Sequence, residues 1–227
     1  MESQRHRVIG RRMSCLLVAV IILLTYLLQE LESDIPALDI VFAVVILAAV
    51  YVAGSERNWL LIAILLAIPT LALSLFSSIS AWPPTTLGYI YLGSITAFIA
   101  FATVAVIREV LLADRVTVHT ISGAMVVYLL IGLVWALLYI IAEGRHPQSF
   151  SFTQVSALET GQSPDLLSSL TYFSLITLTS TGYGDITPLS DTARALASLQ
   201  AVFGQIFLAV LVAWLVGKYL AHSELYE

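Results

Sequence analysis

Long apolar segments alternate with short polar segments along most of the chain. A helix that crosses the hydrocarbon core of a membrane needs about 20 mostly apolar residues. Six segments meet this requirement, at residues 13–29, 36–54, 59–77, 87–107, 121–142 and 195–220. The segments between them carry charges or helix breakers, such as Trp82-Pro83-Pro84. The pattern predicts an all-α membrane protein with six transmembrane helices.

Composition supports this prediction. Hydrophobic residues make up 59% of the chain and charged residues only 11%, whereas a soluble domain carries about 25% charged residues. With Cys15 as its only cysteine, the chain has no intrachain disulfide or cysteine-based metal site. The apolar run from Met13 to Leu28 follows several arginines, but it is too long for a signal-peptide core and lacks a small-residue cleavage site. We therefore interpret it as an uncleaved first membrane helix.

The basic residues predict the orientation of these helices. Six spans place both termini on one side, and cytoplasmic segments are enriched in lysine and arginine. With a cytoplasmic N-terminus, only Arg145 and Arg194 fall outside. The inner segments then hold Arg5, Arg7, Arg11, Arg12, Arg57, Arg108, Arg115 and Lys218. We expect a multi-pass protein of the cell membrane with both termini in the cytoplasm.

The segment between the fifth and sixth spans does not look like an ordinary loop. Ser163 is a suitable N-cap, Pro164 suits the first helical position, and Asp165 complements the positive end of a helix. The apolar helix predicted over residues 164–178 is too short to cross the bilayer. Such a helix is re-entrant or is buried by protein at membrane depth.

The seven residues after this short helix form a motif: Thr179-Ser180-Thr181-Gly182-Tyr183-Gly184-Asp185. The motif resembles the tetrameric potassium channel family, whose filter signature is Thr-Val-Gly-Tyr-Gly. The resemblance implies that the residues from Thr179 to Gly184 form an ion-binding filter. It also implies that K+ binds the carbonyls of Ser180, Thr181, Gly182 and Tyr183 and the Ser180 hydroxyl.

Several partners follow from this resemblance. One filter segment per chain is a quarter of a fourfold ring, so we expect a homotetramer. The other expected partners are membrane lipids and K+ as the permeant ion, with no further cofactor. The chain has no basic patch of the kind that binds nucleic acid.

The chemistry of a filter explains these residue types. A dehydrated cation needs a cage of oxygens, and backbone carbonyls supply one without net charge. Successive carbonyls point the same way only if left- and right-handed backbone conformations alternate, and Gly182 and Gly184 permit positive φ at little cost. Ser180 and Thr181 depart from the family, which has threonine and valine or isoleucine there. Serine keeps the coordinating oxygen but lacks the methyl that helps to fix its rotamer.

Three residues around the filter have two interpretations each. Asp185 is either solvated or bonded to Tyr172, and we favour the bond as a support for the filter. Gly204 follows Ser180 at the distance of the family's gating hinge, but a glycine in a membrane helix also allows close helix packing. Gln205 faces either a partner or a water-filled cavity. Further along the helix, Val212 and Val216 are candidates for an inner constriction.

The front half of the chain resembles a voltage-sensor domain in arrangement only. We divide the chain into a four-helix domain (1–110), a linker (111–120) and a pore domain (121–227). The fourth span has no basic residue before Arg108, and a charge moving through the membrane field yields about 2.3 kcal/mol per 100 mV. Without such charges, we expect no steep voltage gating.

The predicted function is therefore passive, potassium-selective conduction rather than catalysis. A nonselective or weakly selective cation channel on the same fold is the nearest alternative, because Ser180 and Thr181 depart from the signature. A secondary transporter would need inverted repeats with matching broken helices, and an enzyme would need clustered ionisable residues. The sequence shows neither pattern.

Overall fold

A computed structural model describes residues 57–79, 86–113, 116–152 and 166–223, together with Val20 and Ile22. These residues form five helices and one two-stranded sheet. In chain order the elements are α1 (Arg57–Ile79), α2 (Thr86–Leu112), α3 (Val118–Arg145), β1 (Phe150–Phe152), α4 (Leu166–Leu178), β2 (Ile186–Pro188) and α5 (Asp191–Ser223).

Within the described residues, α2, α3 and α5 are long and apolar enough to cross a membrane. The chain is thus a mostly helical, multi-pass membrane protein. Helices cover the predicted spans 59–77, 87–107, 121–142 and 195–220. The predicted spans 13–29 and 36–54 lie outside the described residues, apart from Val20 and Ile22, so the total of six spans stays a prediction.

Helices α2 and α3 pack along their length around one apolar core. Side chains three or four residues apart on a helix lie on the same face, and the inward face of α2 follows that spacing. Its buried members are Ile95, Phe98, Ile99, Ala102, Val106 and Val110. They pack against buried residues of α3 such as Val127, Leu130 and Leu137.

Polar contacts fix both ends of α2 to the part of the chain that follows it. Where α2 begins and α3 ends, the Tyr89 hydroxyl donates to the Gly144 carbonyl at 2.6 Å. At the other end of α2, Lys218 on α5 donates to the Ala113 carbonyl. Ala113 directly follows the C-terminal end of α2, where the helix dipole stabilises a cation such as the Lys218 ammonium group. Consequently α2 is tied to both long helices of the predicted pore domain.

The segment between α2 and α3 is short. Helix α2 continues past the predicted end of its span to Leu112, and α3 begins at Val118. Thr117 and Thr120 form a capping box, in which each side chain bonds the backbone N–H of the other residue. The predicted linker at 111–120 is therefore helical at both ends, at residues 111–112 and 118–120.

Arg108 lies inside α2 rather than beyond it. Its guanidinium stacks over the Trp59 ring of α1 at 5.0 Å from the ring centroid, and Trp59 also stacks on Phe101 at 5.4 Å. A cation over an aromatic face is stabilised by the ring quadrupole. Arg108 therefore contributes to the α1–α2 contact.

The small sheet was not predicted from the sequence. Strands β1 and β2 pair antiparallel, with Ser151 opposite Thr187. Phe150 of β1 packs edge-on against Tyr139 and Phe173, at centroid distances of 5.5 and 5.3 Å. Three-residue strands are too short to show an alternating pattern, so the all-α prediction missed them. The sheet joins the segment after the motif to the end of α3.

Helix α4 has 13 residues and packs between α3 and α5. It coincides with the short helix predicted over 164–178, whose proposed capping residues 163–165 lie outside the described residues. The buried side chains of α4 include Leu170, Thr171, Ser174 and Leu178. Burial on two sides positions its C-terminal end, where the motif begins.

Candidate functional site

The motif leaves α4 through a tight turn. The amides of Thr179 and Ser180 donate to carbonyls in the last turn of the helix, at 3.1 and 3.0 Å. The Ile176 carbonyl then accepts from the amides of both Thr181 and Gly182, at 2.8 and 3.3 Å. Helix C-termini leave four carbonyls without helical partners, and here the motif's own amides bond to three of them, those of Leu175, Ile176 and Thr177. The turn therefore anchors the start of the motif to α4.

The backbone of the motif alternates in hand. Ser180, Gly182 and Gly184 have φ of 57°, 53° and 82°, whereas Thr181 and Tyr183 do not have positive φ. Alternation of this kind turns successive carbonyls toward one side, as expected from the two glycines. The positive φ of Ser180 was not foreseen, because a side chain with a Cβ is strained in that region by about 1–2 kcal/mol.

The motif and the following helix lack apolar cover within one chain. Tyr183 is 72% exposed, although a tyrosine ring carries a large apolar surface. Helix α5 also exposes large apolar side chains around much of its circumference. These are Leu199, Val202, Phe203, Ile206, Leu208, Val210, Val212, Val216, Tyr219 and Leu220. Apolar area of this extent is covered by lipid or by another protein surface.

Gln205 contacts the motif directly. Its Nε2 donates to the Ser180 hydroxyl at 3.0 Å. The sequence left open whether this amide faces a partner or a water-filled cavity. The structure provides a partner, the Ser180 hydroxyl. The contact joins α5 to the second residue of the motif.

Gly204 packs against the last residue of α4. A Cβ at this position would fall inside contact distance of the Leu178 carbonyl oxygen and 3.0 Å from Leu178 Cδ1. The same carbonyl accepts a bond from the Tyr128 hydroxyl on α3 at 3.1 Å. Close packing, the alternative interpretation of Gly204, is therefore observed. The hinge interpretation stays a prediction.

A buried polar network joins α3, α4 and α5. Tyr139 donates to Oε1 of Gln200. The Gln200 Nε2 donates to the carbonyl and hydroxyl oxygens of Ser174, at 3.0 and 2.8 Å. The Ser174 hydroxyl donates to the Gly132 carbonyl at 2.7 Å. Because buried polar groups are costly unless paired, this network fixes α3, α4 and α5 to one another.

Sequence reasoning considered Gln205 and missed Gln200. Gln200 is fully buried, whereas Gln205 is exposed within the chain. A usable signal was present: Ala193, Gln200 and Gly204 are four or seven residues apart and therefore share a helix face. All three are buried against the rest of the chain.

Tyr172 on α4 and Asp185, the last residue of the motif, interact through their side chains. Partial burial, and then the hydrogen bond and charge of Asp185, raise the pKa of Tyr172 to about 12. Oδ1 of Asp185 is buried and has no hydrogen-bond partner among the described residues. The placement agrees with the predicted pairing, and its effect on the filter stays a prediction.

The candidate gate residues share a face with Gln205. Val212 and Val216 follow Gln205 by seven and eleven residues, close to two and three turns of 3.6 residues. Both valines are about half exposed within the chain, at 50% and 51%. A face that begins at the motif and continues along α5 is suited to line a pathway.

Glu143, near the C-terminal end of α3, bonds to the backbone of the loop that follows the helix. Its carboxylate oxygens accept from the backbone amides of Gln148 and Phe150, at 2.8 and 3.2 Å. The Glu143 carboxylate therefore has a structural role, because it holds the backbone between α3 and β1 in place. Among the described residues, no group of three histidine, cysteine or acidic side chains is arranged to hold a metal ion.

Comparison with known families identifies the region that contains these contacts. Residues 124–220 match the family model described as Ion channel. This region is therefore similar to an ion channel domain. The match covers less than half of the 227 residues and supports a passive, non-enzymatic membrane channel. Comparisons with curated proteins and with solved structures gave no match.

Proposed function

We propose that this chain is one subunit of a homotetrameric, potassium-selective channel that conducts K+ passively and is not steeply gated by voltage. Four copies of the segment Thr179–Gly184 surround the axis and form the filter. K+ binds the carbonyls of Ser180, Thr181, Gly182 and Tyr183, together with the Ser180 hydroxyl. The channel lies in the cell membrane with both termini cytoplasmic.

One observation carries the proposal: the alternating backbone at Ser180, Gly182 and Gly184. A carbonyl stack is needed to replace the water shell of a cation, and alternation is the backbone geometry that builds one. The segment also follows directly on the C-terminal end of α4, where the helix dipole favours a cation. The ion channel family match of residues 124–220 supports the same function.

Exposed surface supports the tetramer. Residues 180–184 of the motif are exposed in the single chain, and Tyr183 is 72% exposed. In a tetramer, the neighbouring subunits cover the Tyr183 side chain and part of the apolar surface of α5. Lipid covers the outward remainder.

The lack of steep voltage gating rests on α2. Its membrane segment before Arg108 has no basic residue, and Arg108 itself stacks on Trp59. A helix without charges in the field contributes almost no voltage-dependent energy.

Ion flux from liposomes that contain the purified protein tests the proposal. We expect K+ flux that greatly exceeds Na+ flux, is blocked by Ba2+ and changes little across a voltage series. Equal K+ and Na+ flux would favour the second candidate, a nonselective cation channel, which the departures at Ser180 and Thr181 support. Steeply voltage-dependent opening would refute the gating part alone.

A matched pair of glycine variants tests the carbonyl cage. Neither Gly182 nor Gly93 has an atom of the chain within 4 Å of an added Cβ, but only Gly182 has positive φ, at 53°. Gly182→Ala therefore adds strain of about 1–2 kcal/mol per subunit without a clash inside the chain. We expect Gly182→Ala to lose selective K+ flux and Gly93→Ala to keep it. Equal K+ flux and selectivity in both variants would contradict the filter.

A further inference from the structure

We propose that Gln205 is a positioning residue that holds the Ser180 hydroxyl in place as an ion ligand and thereby determines K+ over Na+ selectivity. The inference rests on the proposed function, because Ser180 must belong to the ion pathway. It assigns to α5 a direct part in selectivity, beyond that of the motif itself.

Ser180 needs such a partner for two reasons. A serine lacks the methyl of the threonine that is usual in the family, so its hydroxyl is free to occupy several staggered rotamers. Its backbone is also strained, with φ of 57°. A ligand that rotates, or a backbone that relaxes, removes the oxygen from the ion. The 3.0 Å bond from Gln205 restrains both.

The hydrogen-bond chemistry leaves the hydroxyl able to bind a cation. A serine hydroxyl has one donor and two acceptor lone pairs. The Gln205 amide donates to the oxygen, which uses one lone pair and leaves the other for the ion. Because the donor is neutral, the bond restrains the hydroxyl without adding a competing positive charge.

Close packing at Gly204 brings Gln205 within reach. Gly204 lies against the backbone of Leu178, two residues before Ser180. The next residue of α5 is therefore positioned beside the motif. Because Gln205 shares its helix face with Val212 and Val216, four copies would form a ring of amides between the filter and the apolar wall of the pathway.

Gln205→Met is the principal test. Methionine has nearly the length of glutamine but cannot donate to Ser180. A neutral side-chain hydrogen bond of ordinary strength corresponds to an about three- to tenfold effect. We expect the ratio of K+ to Na+ flux to fall by this factor, and Ba2+ block to weaken by the same factor. Val210→Leu, on a different face of α5, is the control and should leave both quantities unchanged.

A second substitution separates positioning from a general loss of structure. Ser180→Thr restores the methyl that fixes the rotamer, so Gln205→Met should have little effect on selectivity in the Ser180→Thr background. If Gln205 were merely structural, its loss would be equally harmful in both backgrounds. That outcome would overturn the inference. Gln205→Asn, which keeps the amide but shortens the reach, should resemble Gln205→Met.

The two proposals fail in different ways. Selective K+ flux in the native protein with unchanged selectivity and Ba2+ block in Gln205→Met would overturn the role of Gln205 and leave the proposed function intact. Native protein that passes K+ and Na+ equally would overturn both. Size-exclusion chromatography of each variant verifies that the assembly is retained, and a variant that fails this test is replaced by Gln205→Asn.

Discussion

Gly204→Ala provides a direct test of how α5 packs on α4. The new Cβ would fall inside contact distance of the Leu178 carbonyl oxygen and 3.0 Å from Leu178 Cδ1. The leucine methyl can rotate away, but the carbonyl belongs to the helix backbone and cannot. An ordinary carbon–oxygen contact needs about 3.3 Å or more. The two helices must therefore separate by roughly 1 Å to restore that distance, or the end of α4 must distort.

The magnitude follows from two opposing terms. Overpacking in a well-packed core costs about 1–3 kcal/mol. Alanine in place of glycine inside a helix contributes up to about 1 kcal/mol in the stabilising direction. We expect the free energy of unfolding to fall by about 1–2 kcal/mol per chain. Since the strain acts on the residue before Thr179, ion flux should also decrease.

Thermal unfolding of the purified protein in detergent measures this effect. Gly217→Ala is the matched control, because it lies on the same helix and its added Cβ meets no atom of the chain within 4 Å. It should unfold at the native temperature or slightly above. If Gly204→Ala were as stable as Gly217→Ala, the packing argument would be wrong. Altered opening with unaltered stability would favour the hinge interpretation.

The bond from Tyr128 makes the test sharper. The Tyr128 hydroxyl donates to the same Leu178 carbonyl at 3.1 Å, so a carbonyl displaced by the added methyl group would already have lost much of this bond. Substitutions that affect one contact are generally non-additive. We therefore expect Tyr128→Phe to cost less in the Gly204→Ala protein than in the native protein. Strict additivity would show that the carbonyl had not moved.

Two further predictions concern the support of the motif. Burial, and then the hydrogen bond and charge of Asp185, raise the pKa of Tyr172 from 10.0 to about 12, so its stabilising contribution should be complete below pH 10 and lost as the pH rises through about 12. Thermal melts should show a weaker dependence on pH in this range for Tyr172→Phe, and an identical dependence in the variant would show that Tyr172 does not contribute it. Gln200→Leu should lower the free energy of unfolding by about 1–3 kcal/mol, because it removes the partner of Tyr139 and of Ser174. The loss should be smaller when Tyr139→Phe is already present, and a loss of equal size would refute a shared network.

Sequence alone predicted the elements whose signal is local. A membrane helix needs only a long apolar run, so the spans at 87–107, 121–142 and 195–220 were confirmed as α2, α3 and α5. The short helix before the motif was predicted in the same way. The resemblance of residues 179–185 to a potassium filter predicted an ion channel, and the family match of residues 124–220 supports this coarser function.

Contacts between residues distant in sequence could not be predicted from the sequence. The bond from Gln205 to Ser180 joins residues 25 positions apart, and the bond from Tyr139 to Gln200 joins residues 61 apart. No local pattern identifies such a partner, because the choice depends on how α5 lies against α3 and α4. The three-residue strands at Phe150 and Ile186 were missed for the same reason, since only their pairing defines them.

The sequence by itself therefore determined that the chain is a membrane protein, located the apolar segments that form α2, α3 and α5, and predicted an ion filter at residues 179–184. Those properties depend on composition and on the order of neighbouring residues. The tertiary structure decided that Gly204 packs against Leu178, that Gln200 is buried and that Ser180 has a hydrogen-bond partner on α5. These three properties depend on packing, because the burial of a side chain and its hydrogen-bond partner depend on which helix faces meet.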